Sequence, residues 1–108
     1  MRRLPSSKLL LALLALHVGV PAASAQDVTA LRSRALAATC ANCHGTGGRA
    51  VENASVPGLA GLPAPYLAEQ MRAFKAGTRP ATVMHQLAKG YSDAQIDQLA
   101  AHFAAQSK

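Results

Sequence analysis

Two thiols and an imidazole fall within five consecutive residues of this 108-residue chain, in the order Cys40-Ala41-Asn42-Cys43-His44. The spacing C-x-x-C-H is that of a covalently attached c-type haem. Residues three apart share a face of a helical turn, so the sulfurs of Cys40 and Cys43 can reach the two vinyl groups of one porphyrin and form thioethers. His44 then falls beneath the ring, where an imidazole nitrogen can bind iron. A thioredoxin-like C-x-x-C would sit near a βαβ pattern, and the sequence shows none. A structural zinc site would need a second pair of ligands, which the sequence also lacks. The motif occurs once, so the expected cofactor is a single covalent haem c.

The elements around this motif begin with a leader. Met1-Arg2-Arg3 with Lys8 is basic, Leu9 to Val20 is apolar, and Ala23-Ser24-Ala25 has the A-x-A form of a cleavage site. The apolar run is shorter than the about 20 residues needed to cross a hydrocarbon core, so a cleaved signal peptide over residues 1–25 is expected, with no stable membrane anchor afterwards. His17 leaves with it. Residues 26–108 then form one small domain whose own core is marginal, and a porphyrin would supply the missing apolar mass. An aromatic content of 4% and the absence of Trp agree with that. In an exported chain two cysteines would ordinarily suggest a disulfide, but the C-x-x-C-H context assigns both to haem. Losing Arg2, Arg3 and Lys8 halves the formal charge of +6. No basic cluster suited to a phosphate backbone remains, so no nucleic-acid partner is expected.

Helical signals account for most of the domain. Asp27 can cap a helix running to about Ala41, with Val28, Leu31, Ala35 and Ala38 on one face. From Gly45 to Ala64 there is no periodicity, only a Gly- and Pro-punctuated stretch, which wrapping around a cofactor would explain. Pro65 opens a second helix through Leu67, Gln70, Met71 and Phe74, stopped near Gly77. After Arg79-Pro80 a short helix from about Thr82 to Lys89 is closed by Gly90. Ser92-Asp93-Ala94-Gln95 is a capping box for a last helix through Ile96, Leu99, Ala100 and Phe103. The fold class is all-α, about four short helices around one haem.

This order, from Asp27 to Gln106, resembles the class I cytochromes c. Three stretches are similar to the small cytochrome subunit of flavocytochrome c sulfide dehydrogenase: Val56-Pro57-Gly58-Leu59-Ala60-Gly61-Leu62-Pro63 with Tyr66-Leu67, then Phe74 to His85, then Ala88-Lys89-Gly90-Tyr91-Ser92-Asp93. Soluble carriers of the c4, c5 and c553 type share much of this pattern. One departure is His102, where many relatives carry an aromatic residue, which implies a looser crossing of the first and last helices.

The resemblance implies the remaining site. Of three methionines, Met1 leaves with the leader and Met71 lies on an apolar helix face as a gap-filler. Met84 stands in the segment matching the ligand-bearing part of the family and is the expected sixth ligand, opposite His44. Its neighbour His85 is the competing ligand. Adjacent helical residues point about 100° apart, so both cannot face one iron, and His85 is expected as a partly exposed surface residue. Pro57 is implied as the backbone acceptor for the His44 Nδ1 proton. Arg49, Tyr66 and Tyr91 stay open between contacts to haem propionates and ordinary surface or core roles. His102 is expected in packing or at the surface.

Two axial ligands leave iron no open position, so the chain is not expected to be catalytic by itself. The expected function is one-electron transfer in the periplasm as the electron-accepting subunit of a sulfide-oxidising flavoprotein, with an FAD-bearing chain or another redox protein as partner. The alternative is a free diffusible cytochrome shuttling electrons between respiratory complexes. In that case Arg72, Lys75, Arg79 and Lys89 would ring the haem edge and steer an acidic partner, or form a simply solvated face.

Overall fold

The computed structural model describes residues 24–108. The basic start of the leader, its apolar run, His17 and Ala23 lie outside the described residues. Within them there are five α-helices and no strand: α1 Ala25–Ala38, α2 Ala41–His44, α3 Ala64–Ala76, α4 Met84–Lys89 and α5 Asp93–Ala104, with a 3₁₀ turn at Thr46–Gly48. None of these helices is long and apolar enough to cross a membrane.

Local chemistry sets most helix ends. At α5, Ser92 Oγ accepts from Gln95 N–H at 3.2 Å and Gln95 Oε1 accepts from Ser92 N–H at 2.8 Å, which closes the capping box. Helix α3 carries Pro65 in its first turn and ends on Gly77 in the left-handed conformation. The short α4 starts at Met84, two residues later than expected, and no side chain caps it.

Helix α1 departs from expectation in three ways. Its N-cap is Ser24, and Asp27 closes the capping box from the third helical position instead of serving as the cap. It ends at Ala38, because Thr39 and Cys40 lead into the separate turn of α2. Its buried line is also different. Leu31 is 67% exposed, and Val28, Ala35 and Ala38 are exposed with it. The chain instead turns Ala37 inward, with Leu36 and Cys40 packed against the core. The Ala-rich sequence offers two similar stripes, and the one bearing Cys40 is the one that packs.

The core lies where α3 and α5 pack together and α1 crosses α5. It holds Ala37, Leu67, Ala68, Ile96, Leu99, Ala100 and Phe103, with Met71 and Tyr91 packed on it, and Ile96 is fully buried. The crossing of α1 and α5 is made by small residues and a polar contact. Ser33 Oγ donates to Thr29 O at 3.1 Å and accepts from Gln98 Nε2 at 2.8 Å. His102 is half-buried, its ring edge-on to Phe103 with centroids 5.2 Å apart.

The loop between α2 and α3 is fastened to the end of α5. Gly61 N–H donates to Phe103 O at 2.9 Å. Gly48 has φ +77°, and a Cβ there would come within 2.7 Å of the Phe103 ring, so close contact and left-handed backbone both demand glycine. Arg49 Nε donates to Ser107 O at 2.9 Å and Nη2 to Ser107 Oγ at 3.0 Å. That engagement commits Arg49 to the C-terminal tail.

Candidate haem-attachment site

Helix α1 delivers the chain into a single turn that gathers the donors. The carbonyl of Cys40 accepts from both Cys43 N–H at 3.3 Å and His44 N–H at 2.9 Å, which folds the three residues onto one turn. Both thiols are free; Cys40 is half-buried and Cys43 exposed. Burial pushes the Cys40 thiol above its ordinary range, with its side-chain contact to Thr39 opposing the rise and the neighbouring Cys43 adding to it.

The chain leaves this turn sharply. Gly45 sits at φ +83°, and a Cβ would overlap Arg49 O at 1.9 Å, so only glycine permits the exit. The loop then returns beneath the imidazole. Leu59 N–H and Ala60 N–H both donate to Gly48 O, at 2.7 and 3.0 Å, and this brings the Pro57 carbonyl to 2.7 Å from His44 Nδ1. A carbonyl can only accept, so Nδ1 carries the proton in this contact. The lone pair is therefore on Nε2, the nitrogen left free for a metal.

Met84 opens α4 and is half-buried. His85 is half-buried too, and its Nδ1 is buried with no hydrogen-bond partner. Large apolar side chains lie uncovered around these segments: Val51 is 76% exposed, Val83 54% and Leu87 52%. Two free thiols on one turn, an imidazole with its tautomer fixed and unpartnered apolar side chains are the donor set and the surface that a covalent haem requires.

Of the residues left open, Arg49 binds the tail, Tyr66 is exposed, and the Tyr91 hydroxyl lies 3.1 Å from Thr39 Oγ1. The basic residues near Met84 are mostly engaged. Arg72 pairs with Asp97 at 2.6 Å and Lys75 with Asp93 at 2.9 Å, while Arg79 bonds Gln70 and lies 4.5 Å over the Phe74 ring. The shared turn of Cys40, Cys43 and His44 and the Pro57 carbonyl beside His44 lie where the sequence places them, but the sequence signals neither the Thr39–Tyr91 contact nor the Arg49–Ser107 link. Their partners are 52 and 58 residues away, and no local pattern announces them.

Residues 30–106 match the family model described as Cytochrome c. The chain belongs to the cytochrome c family: it is an all-α, class I c-type cytochrome that transfers electrons through haem c. A thiosulfate dehydrogenase electron acceptor of Thiomonas intermedia is 48% identical over 67 residues, covering 62% of this chain and 31% of that protein. The cytochrome subunit of sulfide dehydrogenase of Chlorobaculum tepidum is 37% identical over 83 residues, 77% of this chain and 74% of that one. Among solved structures, cytochrome c4 of Acidithiobacillus ferrooxidans superposes with a TM-score of 0.61 at 30% identity, covering 82% of this chain and 52% of its own. The chain thus spans under a third of the thiosulfate dehydrogenase acceptor and about half of the cytochrome c4.

Proposed function

We propose that this chain is the monohaem, electron-accepting cytochrome subunit of a periplasmic flavocytochrome c sulfide dehydrogenase. Cys40 and Cys43 would hold the porphyrin through thioethers, and His44 and Met84 would ligate its iron. The observation that carries the partner is mutual coverage. The sulfide dehydrogenase subunit matches over about three quarters of both chains, whereas the more identical thiosulfate dehydrogenase acceptor matches over less than a third of its own length.

The bound haem supplies a one-electron carrier. The protein's residues decide how it is held. Pro57 O fixes the His44 ring and makes Nε2 the more basic nitrogen. A Met84 thioether ligand would raise the potential of the bound haem, suiting the site to accept electrons. With His44 and Met84 both committed to iron, sulfide would find no open ligand position there, and its two-electron oxidation would fall to the flavin of the partner chain. A carrier steered by charge is the weaker reading, because Arg72, Lys75 and Arg79 are already engaged within α3 and α5.

Co-expression with a candidate flavoprotein tests this. The two chains should co-elute, sulfide should reduce the haem only when the flavoprotein is present, and the periplasmic chain should have the mass of residues 26–108 plus one haem. Elution alone, with no reduction by sulfide and flavoprotein together, would indicate a diffusible carrier.

A further inference from the structure

The segment bearing Met84 has few ties to the half of the molecule that holds the attachment turn. Its backbone hydrogen bonds are local: Gln86 N–H and Leu87 N–H donate to Val83 O, Gly90 N–H to Leu87 O and Tyr91 N–H to Ala88 O. Helix α4 packs on α3. Six residues without a side-chain cap do not hold a helix by themselves. Among the described residues, one hydrogen bond joins the 80–91 segment to the attachment side, from Tyr91 Oη to Thr39 Oγ1 at 3.1 Å.

The direction of that bond follows from its neighbours. Thr39 O–H donates to Leu36 O at 3.0 Å, so its oxygen is left to accept and Tyr91 O–H is the donor. Thr39 closes α1 and stands directly before Cys40, with Oγ1 4.0 Å from Cys40 Sγ. Tyr91 is half-buried against the core, which holds its ring in place.

We propose that Tyr91 is a positioning residue for the sixth ligand: its hydrogen bond to Thr39 fastens the Met84 segment to the attachment turn and sets how often the thioether leaves the iron. This rests on Met84 being that ligand. Departure of the ligand is a local opening, governed by the few contacts the segment makes and not by the whole core. One net hydrogen bond is enough to change the open population about three- to tenfold.

The test uses the mature holoprotein. Carbon monoxide can bind the reduced iron only after the sixth ligand leaves, so its uptake rate reports the opening. Tyr91→Phe and Thr39→Val should each raise that rate about three- to tenfold. The double variant should be no faster than either single one, and Thr39→Ser, which keeps the hydroxyl, should match the parent. An unchanged rate in Tyr91→Phe overturns the proposal even if the urea midpoint falls, since that would be a purely structural role. Effects that add in the double variant overturn it as well. The ligand assignment has its own readout. The sulfur-to-iron charge-transfer band of the oxidised protein should vanish in Met84→Ala. Its survival there would overturn the Met84 assignment and with it the Tyr91 proposal, whereas an unchanged carbon monoxide rate in Tyr91→Phe with the band lost in Met84→Ala would overturn the Tyr91 proposal alone.

Discussion

The two sides of this molecule are built on different terms. Where α3, α5 and α1 meet, the chain fills its own interior: Ile96 is fully buried, and Leu67, Leu99 and Phe103 surround it. On the other side, the loop after His44 and the Met84 segment leave Val51, Val83 and Leu87 uncovered. The first side is a small helical core of ordinary kind, and the second is a surface shaped for something the polypeptide does not encode. A domain of this size can be specified half by its side chains and half by its cofactor, with Gly48 and Gly61 against Phe103 as the seam.

Removing the cofactor's anchors should separate the sides most sharply. In a Cys40→Ser/Cys43→Ser variant no pigment should survive acid-acetone extraction. Hydrogen exchange should show protection lost in residues 45–63 and 80–91 before it is lost in α3 and α5. Equal loss throughout would mean that the packed side does not stand without haem.

Phe103→Ala strikes the seam and should cost about 3–5 kcal/mol in urea unfolding, because the ring supports both the core and the Gly48 turn. The same truncation at exposed Leu87 should change the haem-free chain by less than about 0.5 kcal/mol and be felt only in the holoprotein. A large effect at Leu87 without haem would erase the distinction.

The smallest effect belongs to the rim of the packed side. The Lys75 ammonium, by hydrogen bond and charge, holds the Asp93 carboxyl below its ordinary range. A depressed carboxylate stabilises the fold at pH values above its unfolded titration, and the contribution fades as pH falls through the lower folded one. Lys75→Ala should therefore lower the thermal midpoint slightly at neutral pH, and the difference from the parent should close in acid, below the ordinary aspartate range. A difference that persists there would assign the effect to lost packing by the lysine stem.

The packed side was also the legible one. Pro65, Gly77 and the Ser92–Gln95 box are local signals, and α3 and α5 fall where those signals place them. Helix α1 packs by a face that its periodicity does not single out, for a physical reason: alanine and leucine occur on both of its faces, and the choice between them depends on holding Cys40 against the core, which no window of sequence records. At the site the turn that gathers Cys40, Cys43 and His44 was legible because C-x-x-C-H fixes their spacing. The Tyr91–Thr39 and Arg49–Ser107 contacts were not, since each joins residues more than fifty apart that have no chemistry in common beyond a hydrogen bond.

The Arg49–Ser107 clasp has a practical side. It fastens Ser107 to the loop that brings the Pro57 carbonyl to His44, with the Lys108 side chain lying over Gly61. A purification handle fused behind Lys108 would tug on that loop during maturation. Yield of coloured protein should then depend on tag and spacer, and a handle placed elsewhere is the sounder choice for anyone producing it.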